Sequence, residues 1–288
     1  MNLDFTTIDG LRIRFAASRN PGKPQLVLLS PQPQSLLVYR HWWPQLKNDF
    51  DVVAVDLPNH GHSQAAKHVT TVSQQGAFFG RILDHFDFVN PHVVGPDVGT
   101  PTVLRYMVNT PGRIKSATVG DAGCVWPIDG QPLFRWLCTS RLVYLSILSC
   151  GGPIGGRIYT AVANIIGYRN AYPSQDILRD YRQSSTHFGR LRGQIGFLAS
   201  YPDENPRLYQ DLSNITTPVQ VLHGQYDLFV AVSNSWRLHK KLPNSRFDMV
   251  ENAAHYSYED NPEGYLRRVL DWIYIAEFGN VDKYSASF

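Results

Sequence analysis

Residues 92–101 read His-Val-Val-Gly-Pro-Asp-Val-Gly-Thr-Pro, an apolar run followed by a Gly-x-Asp-x-Gly turn and a helix start. A strand that turns sharply into a helix crowds its backbone, so we expect Gly95 and Gly99 to relieve clashes and Asp97 to project over the sheet edge. The helix start favours an anion there and helps to keep Asp97 ionised. Such a carboxylate can attack a carbon that carries a good or activated leaving group.

Two partners for this candidate nucleophile follow in the chain. Asp227 stands in the turn after an apolar run at 219–222, and His255 lies in the loop after another at 247–250. An acid can orient a histidine, which then takes a proton from water. Asp121, which follows a strand predicted at 114–119, competes for the orienting role, but the Gly224-x-x-Asp227 context favours Asp227.

The elements that must position these residues alternate between strand and helix. Asp9-Gly10 predicts a hairpin turn between two opening strands. Short apolar runs predict buried parallel strands, and helical periodicity predicts the helices between them. The predicted strands lie at 26–29, 52–55, 92–94, 114–119, 219–222 and 247–250, and the predicted helices lie at 72–88, 100–109, 236–242 and 265–275.

The alternation stops between about 122 and 212, where Gly- and Pro-punctuated sequence is mostly helical and aromatic. We therefore predict an α/β fold with a mostly parallel central sheet, flanked by helices. Its core domain comprises residues 1–121 and 213–288, and a helical cap occupies residues 122–212.

These motifs resemble the α/β-hydrolases with an aspartate nucleophile, which are the epoxide hydrolases and haloalkane dehalogenases. Residues 56–63 match that family's Asp-x-x-Gly-His-Gly-x-Ser loop except at Asn59, whereas residues 30–33 retain only the proline of its His-Gly-x-Pro motif. The resemblance implies the α/β-hydrolase fold, the triad Asp97, Asp227 and His255, and no metal or organic cofactor. It also implies that the backbone N–H groups of Gln32 and Val98 face the developing oxyanion.

The resemblance favours an epoxide as the substrate. Dehalogenases of this kind commonly carry a Trp after the nucleophile to hold the halide, and Val98 cannot donate a side-chain hydrogen bond. Gln32 stands where some dehalogenases have a halide-binding Asn, so haloalkane dehalogenation is the first alternative. A non-covalent lyase or cyclase, and an inactive ligand-binding protein on the same fold, are further alternatives.

Epoxide hydrolases use cap tyrosines to protonate the opening oxygen. The predicted cap contains Tyr144, Tyr159, Tyr168, Tyr172, Tyr181 and Tyr201. Tyr201 is favoured because it lies late in the cap, where the family's second acid tyrosine falls. Four aromatic residues are candidate walls of a pocket for a bulky, mostly apolar substrate: Trp126, Phe134, Trp136 and Phe197.

Composition narrows the class of partner. The net charge of +3 comes from scattered Lys and Arg, so nucleic acid is not expected. Cys124, Cys138 and Cys150 lack disulfide or zinc spacing, and no run is long and apolar enough for a span or signal segment. We expect a cytoplasmic monomer or homodimer that acts on a small molecule and water, with no membrane partner.

Overall fold

In a computed structural model that describes residues 1–279, eight strands form one sheet in the order β1-β2-β4-β3-β5-β6-β7-β8. The strands are β1 (Asp4–Ile8), β2 (Leu11–Ser18), β3 (Gln25–Leu29), β4 (Asp51–Val55), β5 (His92–Pro96), β6 (Ser116–Gly120), β7 (Val219–Gly224) and β8 (Ser245–Val250). β1 pairs with β2, and β2 with β4, in antiparallel orientation, whereas every other pair of neighbours in the sheet is parallel. Parallel strands place their carboxyl ends along one sheet edge, where ligands bind in open α/β sheets.

Local chemistry explains the hairpin and the central strands. Asp9 and Gly10 adopt φ angles of 48° and 76°, the positive values that a tight hairpin turn needs. Every residue of β4, β5, β6 and β7 is buried. Their nearly continuous apolar runs had predicted this, because such runs are typical of strands that are covered on both faces.

Helices cover both faces of the sheet and fill the long connection between β6 and β7. They are α1 (Trp43–Asp49), α2 (Val72–His85), α3 (Gly99–Asn109), α4 (Pro132–Thr139), α5 (Arg141–Ser149), α6 (Gly151–Gly167), α7 (Gln175–Thr186), α8 (Phe188–Ala199), α9 (Tyr201–Asp211), α10 (Val232–Lys241), α11 (Ser257–Asp260) and α12 (Pro262–Phe278). Thr71 and Gln74 form a capping box at α2, and Asn261 accepts from the Gly264 N–H at α12.

Two buried charge networks link α7, and Tyr168 directly after α6, to the elements that surround the sheet. Arg14 on β2 donates to Asp56 at 2.6 Å and to Asp180 on α7 at 2.7 Å. Glu259 accepts from Arg40 and from the hydroxyls of Tyr168 and Tyr181. Buried charges with hydrogen-bonded partners fix an arrangement, because separating them strands a charge in a low-dielectric interior.

The predicted fold is confirmed, with each predicted strand and helix present and its ends shifted by a few residues. Helices α4 to α9 lie where the sequence loses its alternation, while the boundaries at 122 and 212 stay a prediction. No helix within residues 1–279 is long and apolar enough to cross a bilayer. Cys124, Cys138 and Cys150 are all free thiols.

Candidate active site

Asp97 sits in a sharp turn between β5 and α3. Its φ is 51°, a left-handed value that Asp tolerates better than most residues, and its N–H donates to the Gly120 carbonyl at 2.9 Å. A Cβ on Gly95 would lie 2.9 Å from a Val103 methyl carbon and 3.1 Å from the Gly99 carbonyl oxygen. The turn therefore requires glycine at 95, and it presents the Asp97 side chain at the carboxyl edge of the sheet.

Gly99 does not have the role predicted for it. A Cβ there would meet only Leu29, at 3.5 Å, which is an ordinary van der Waals contact. The expectation of a clash at Gly99 was wrong, because α3 begins at this residue and leads the chain away from the crowded turn.

His255 lies between two aspartates. Its Nδ1 is 2.8 Å from Oδ2 of Asp227, and its Nε2 is 4.0 Å from Oδ1 of Asp97. Asp227 follows β7, where its Oδ1 also accepts from the N–H groups of Phe229 and Val230, at 2.7 and 2.8 Å. Since a carboxylate only accepts, Nδ1 of His255 carries a proton and Nε2 faces Asp97.

Asp121 is buried close to this pair but bonds elsewhere. Its Oδ1 accepts from the Gly224 N–H at 2.9 Å, and its Oδ2 accepts from the Ser257 hydroxyl. Burial, and then the nearby charge of Asp227, raise the pKa of Asp121 to about 8. In this geometry Asp227 orients His255, while burial makes the ionised form of Asp121 less favourable.

Asp121, Asp227 and His223 bring ligand-type atoms within 4.8 Å of one another. Each carboxylate oxygen already accepts from an N–H, a hydroxyl or the His255 ring, and Nδ1 of His223 lies 3.0 Å from the Ser235 hydroxyl. These contacts make the cluster a hydrogen-bond network that supports the His255 side of the site.

Two backbone donors face the Asp97 carboxylate. The Gln32 N–H donates to Oδ2 at 2.7 Å, and the Val98 N–H stabilises the same carboxylate. Gln32 follows β3 and Val98 follows the turn, so the ends of two adjacent strands supply the pair. Donors in this position stabilise an oxyanion that forms on the carboxyl carbon of Asp97.

The carboxylate and the imidazole shift each other's ionisation. Burial raises the pKa of Asp97 to about 6, against the opposing effects of His255 and the two N–H donors. Burial also lowers the pKa of His255, but Asp227, Asp97 and Asp121 outweigh it and raise the value to about 9. At neutral pH the resting site therefore holds ionised Asp97 beside protonated His255.

A cavity of about 240 Å³ opens onto Asp97, His255 and Gln32. Its walls are mostly aliphatic and aromatic side chains of α4 to α6, of α8 and α9, and of the loop after β7, among them Phe134, Val143, Ile147, Ile158, Tyr159, Val162, Ile166, Leu198, Tyr201 and Phe229. The site is thus a charged pair at the base of an apolar chamber.

Tyr159 and Tyr201, both from the predicted cap, line this cavity together with Tyr256. Burial raises the pKa of Tyr159 and of Tyr201 well above the ordinary value, and the charge of Asp97 adds to the shift of both. Tyr201 was predicted as the favoured acid, whereas Tyr159 was only one of six cap tyrosines. It lies on α6, on the same face as the cavity-lining Ala163 and Ile166, and this helical spacing was the signal that could have singled it out.

Tyr159 also contacts the Gln32 side chain. The amide nitrogen of Gln32 lies 2.6 Å from the Tyr159 hydroxyl, and the amide oxygen lies 2.9 Å from Nε2 of His60. Nδ1 of His60 lies 2.9 Å from the Pro58 carbonyl and must donate to it, while burial lowers the His60 pKa to about 4. Nε2 of a neutral His60 therefore carries no proton and can only accept a hydrogen bond. This favours the Gln32 amide rotated by 180°, so that its nitrogen donates to His60 and its oxygen faces the Tyr159 hydroxyl.

Three of the four predicted wall residues lie outside the cavity, and only Phe134 lines it. Trp136 is 61% exposed, because it is two residues past Phe134 on α4 and faces the opposite side of the helix. Phe197 is buried against His60 and Tyr201. Trp126 precedes α4, and its carbonyl accepts from Arg237.

The other tyrosines of the predicted cap have different surroundings. Tyr168 and Tyr181 donate to Glu259, Tyr144 is buried and is not among the residues that line the cavity, and Tyr172 is exposed. The structure therefore brings together the three predicted triad residues, both predicted oxyanion donors, Phe134 and Tyr201.

Comparisons with known proteins agree with this fold. A family model described as the alpha/beta hydrolase fold matches residues 24–135. The uncharacterized hydrolase YugF of Bacillus subtilis is 23% identical over 93% of this chain and 96% of its own length. A 2-hydroxy-6-oxononadienedioate/2-hydroxy-6-oxononatrienedioate hydrolase of Cupriavidus pinatubonensis is 21% identical, over 80% of this chain and 78% of its own.

Solved structures give the same result. Cfl2 of Burkholderia cenocepacia superposes with a TM-score of 0.79 at 20% identity, covering 94% of this chain and 95% of Cfl2. The haloalkane dehalogenase DbeA of Bradyrhizobium elkani superposes with a TM-score of 0.78 at 18% identity, covering 97% and 99%. Likeness at this identity shows the fold alone. The chain has the α/β-hydrolase fold, and its sequence is similar to those of proteins named as hydrolases.

Proposed function

We propose that this α/β hydrolase opens epoxides through a covalent ester on Asp97. The observation that carries the proposal is the lining of one cavity, which includes a carboxylate at the nucleophile position and three tyrosines, two of them from the predicted cap. A carboxylate attacks a saturated carbon well only when the leaving oxygen is activated, and a phenol can protonate that oxygen as it leaves.

In the first step, Oδ1 of Asp97 attacks an epoxide carbon. The ring C–O bond breaks, its electron pair goes to the ring oxygen, and Tyr201 or Tyr159 supplies the proton. Oδ1 is the attacking atom because Oδ2 accepts from the Gln32 N–H at 2.7 Å and is thereby turned away from the substrate. The product of this step is a hydroxyalkyl ester of Asp97.

In the second step, His255 takes a proton from water and the hydroxide attacks the ester carbonyl carbon. The negative charge that develops on Oδ2 faces the N–H groups of Gln32 and Val98. The 4.0 Å between Nε2 of His255 and Oδ1 of Asp97 exceeds a direct hydrogen bond, and a water can approach between them. Collapse of the intermediate breaks the ester bond, and His255 returns its proton to the departing diol.

Ester formation itself makes His255 available as a base. Of the three carboxyls that raise its pKa to about 9, Asp97 loses its charge once it is esterified. The pKa of His255 then falls, since a neutral ester no longer stabilises the imidazolium, and the imidazolium proton passes to the tyrosinate that the first step leaves behind. The first step therefore prepares the base that the second step needs.

Haloalkane dehalogenation is the second candidate, because DbeA shares the fold and Gln32 carries an amide beside the nucleophile. That amide contacts His60 and Tyr159 and is not free to hold a halide. No tryptophan stands among the described residues that line the cavity. Both features favour a leaving oxygen over a leaving halide.

The size of the cavity refines the expected substrate. Ligand pockets commonly measure roughly 300–1,000 Å³, whereas this cavity measures about 240 Å³. We therefore propose a compact apolar epoxide in place of the bulky substrate that the aromatic content of the cap suggested.

The test measures diol formation from small alkyl and aryl epoxides, and halide release from matched haloalkanes. We expect diol from at least one epoxide, with a loss of roughly 10²- to 10⁴-fold in kcat in the double variant Tyr159→Phe/Tyr201→Phe. Tyr144→Phe is the matched control, because this buried tyrosine lies outside the cavity lining. If no epoxide gives diol, and the wild type and the double variant release halide equally well, the proposal of epoxide opening would give way to dehalogenation.

A further inference from the structure

The outer side of α5 and α6 carries a group of exposed aliphatic side chains that we call the α5–α6 surface: Leu142, Leu145, Ile154, Ile158, Val162 and Ile165. The four on α6 follow helical spacing and fall within roughly 80° of its circumference. Ile165 and Leu142 are 74% and 76% exposed. Contiguous apolar side chains that a protein leaves in water commonly mark a contact surface.

This surface is continuous with the mouth of the active-site cavity. Ile158 and Val162 line the cavity and are also 54% and 41% exposed. On α5, Val143 and Ile147 line the cavity, while Leu142 and Leu145 face outward. A molecule that enters between these helices passes over aliphatic side chains throughout.

The charge of the same segment has one sign. Residues 130–175 contain four arginines, at 135, 141, 157 and 169, and no aspartate, glutamate or lysine. Arg141 and Arg157 lie on α5 and α6, are exposed, and form no ion pair with any residue in the described range 1–279. Exposed aliphatic side chains beside unpaired arginines fit a partner that is apolar and anionic.

A second copy of this chain fits the surface poorly. In a twofold dimer the same patch meets itself, so Arg141 and Arg157 of both copies would approach one another with no carboxylate on the segment to separate them. Like charges brought together across an interface oppose association.

We propose that the α5–α6 surface docks on an anionic phospholipid membrane, with the aliphatic side chains in the acyl boundary and Arg141 and Arg157 against the phosphates. Amphipathic helices with basic flanks bind membranes in this way without spanning them. The sequence-based expectation of no membrane partner rested on the lack of a spanning segment, which does not bear on surface docking. The docking stands independently of the proposed epoxide chemistry, and it places the cavity mouth where apolar molecules concentrate.

The experiment is cosedimentation of the protein with vesicles of phosphatidylcholine alone, or of phosphatidylcholine with phosphatidylglycerol. We expect binding to the anionic vesicles that weakens at high salt. Arg141→Gln/Arg157→Gln should lower the partition coefficient on the order of tenfold at low salt. Ile154→Ser/Ile165→Ser should lower it roughly tenfold at either salt, without touching residues that line the cavity.

Matched controls separate this surface from general stickiness. Arg192→Gln/Arg207→Gln removes two exposed arginines from α8 and α9, and Leu3→Ser/Val89→Ser removes two exposed aliphatic side chains from the sheet domain. Both controls should bind like the wild type. Failure to bind anionic vesicles, or equal losses in controls and test variants, would overturn the proposal. So would a dimer, seen by light scattering, that Ile154→Ser/Ile165→Ser dissociates, because the surface would then belong to a second copy.

Discussion

Nδ1 of His255 lies 2.8 Å from Oδ2 of Asp227, whereas Asp121 bonds to the Gly224 N–H and the Ser257 hydroxyl. Both acids are buried close to His255, yet only Asp227 orients the ring. Burial acts to raise the pKa of Asp227, but the charge and hydrogen bond of His255 outweigh it and lower the value, while the pKa of Asp121 rises to about 8. The two acids therefore differ in how readily they ionise, and Asp227 is the stronger acid.

This difference predicts opposite outcomes for two matched substitutions. Asp227→Asn should lower kcat by roughly 10³- to 10⁴-fold, because the amide no longer stabilises the imidazolium or fixes its tautomer. Asp121→Asn changes a side chain that does not contact the His255 ring and should cost less than about tenfold. Steady-state kinetics on both folded variants tests this prediction. A larger loss of kcat in Asp121→Asn than in Asp227→Asn would assign the orienting role to Asp121.

The pKa of Asp97 predicts an acid limit for ester formation. Below pH about 6 the carboxyl takes up a proton and cannot attack, so the single-turnover alkylation rate should fall as the pH drops through that value. In the His255→Gln variant this fall in rate should occur at higher pH, since the imidazolium that lowers the Asp97 pKa is gone. A fall in rate at the same pH in the variant and the wild type would show that His255 carries no charge beside Asp97.

The turn at Asp97 predicts unequal effects of its two glycines. Gly95→Ala places a methyl 2.9 Å from Val103 and should lower the free energy of unfolding, by about 1–3 kcal/mol as overpacked sites commonly do. Gly99→Ala meets only Leu29 at 3.5 Å and should change stability by less than about 0.5 kcal/mol. Urea unfolding measures both, and equal losses would contradict the steric account of the turn.

The Arg14 network predicts a large stability effect far from the cavity. Arg14→Met leaves Asp56 buried without its cation and should cost about 3–5 kcal/mol in the free energy of unfolding. Arg179→Met is the control, because its pair with Asp176 is exposed and such pairs contribute at most about 1 kcal/mol. A loss for Arg14→Met no larger than for Arg179→Met would show that the buried network does not hold α7 to β2.

The residues that could be predicted from sequence are those with strong local signals. The turn at Asp97, the Gly-x-x-Asp context of Asp227 and the loop that carries His255 each sit at the end of a buried strand, and parallel strands bring such ends to one edge. Gln32 and Val98 were predicted as oxyanion donors from the family resemblance, and the same rule explains why they lie at this edge.

The cavity walls were harder to predict because they depend on how α4 to α6 pack. Phe134 and Trp136 are two residues apart on α4, and only the rotation of the helix decides that the first faces the cavity. Tyr159 reaches Gln32 across 127 positions of sequence. No local sequence pattern encodes that contact. The sequence therefore identified six candidate tyrosines in the predicted cap, but it could not indicate that Tyr159 contacts Gln32.

Multiple turnovers in ¹⁸O-water, followed by mass spectrometry of the proteolytic peptide that contains Asp97, test the covalent ester most directly. Hydrolysis at the ester carbonyl predicts that the peptide gains heavy oxygen with an epoxide that is converted to diol, and that Asp97→Asn forms no diol above background. Diol formed while the Asp97 peptide stays light would contradict the account, because water would then have attacked the substrate without an ester on Asp97.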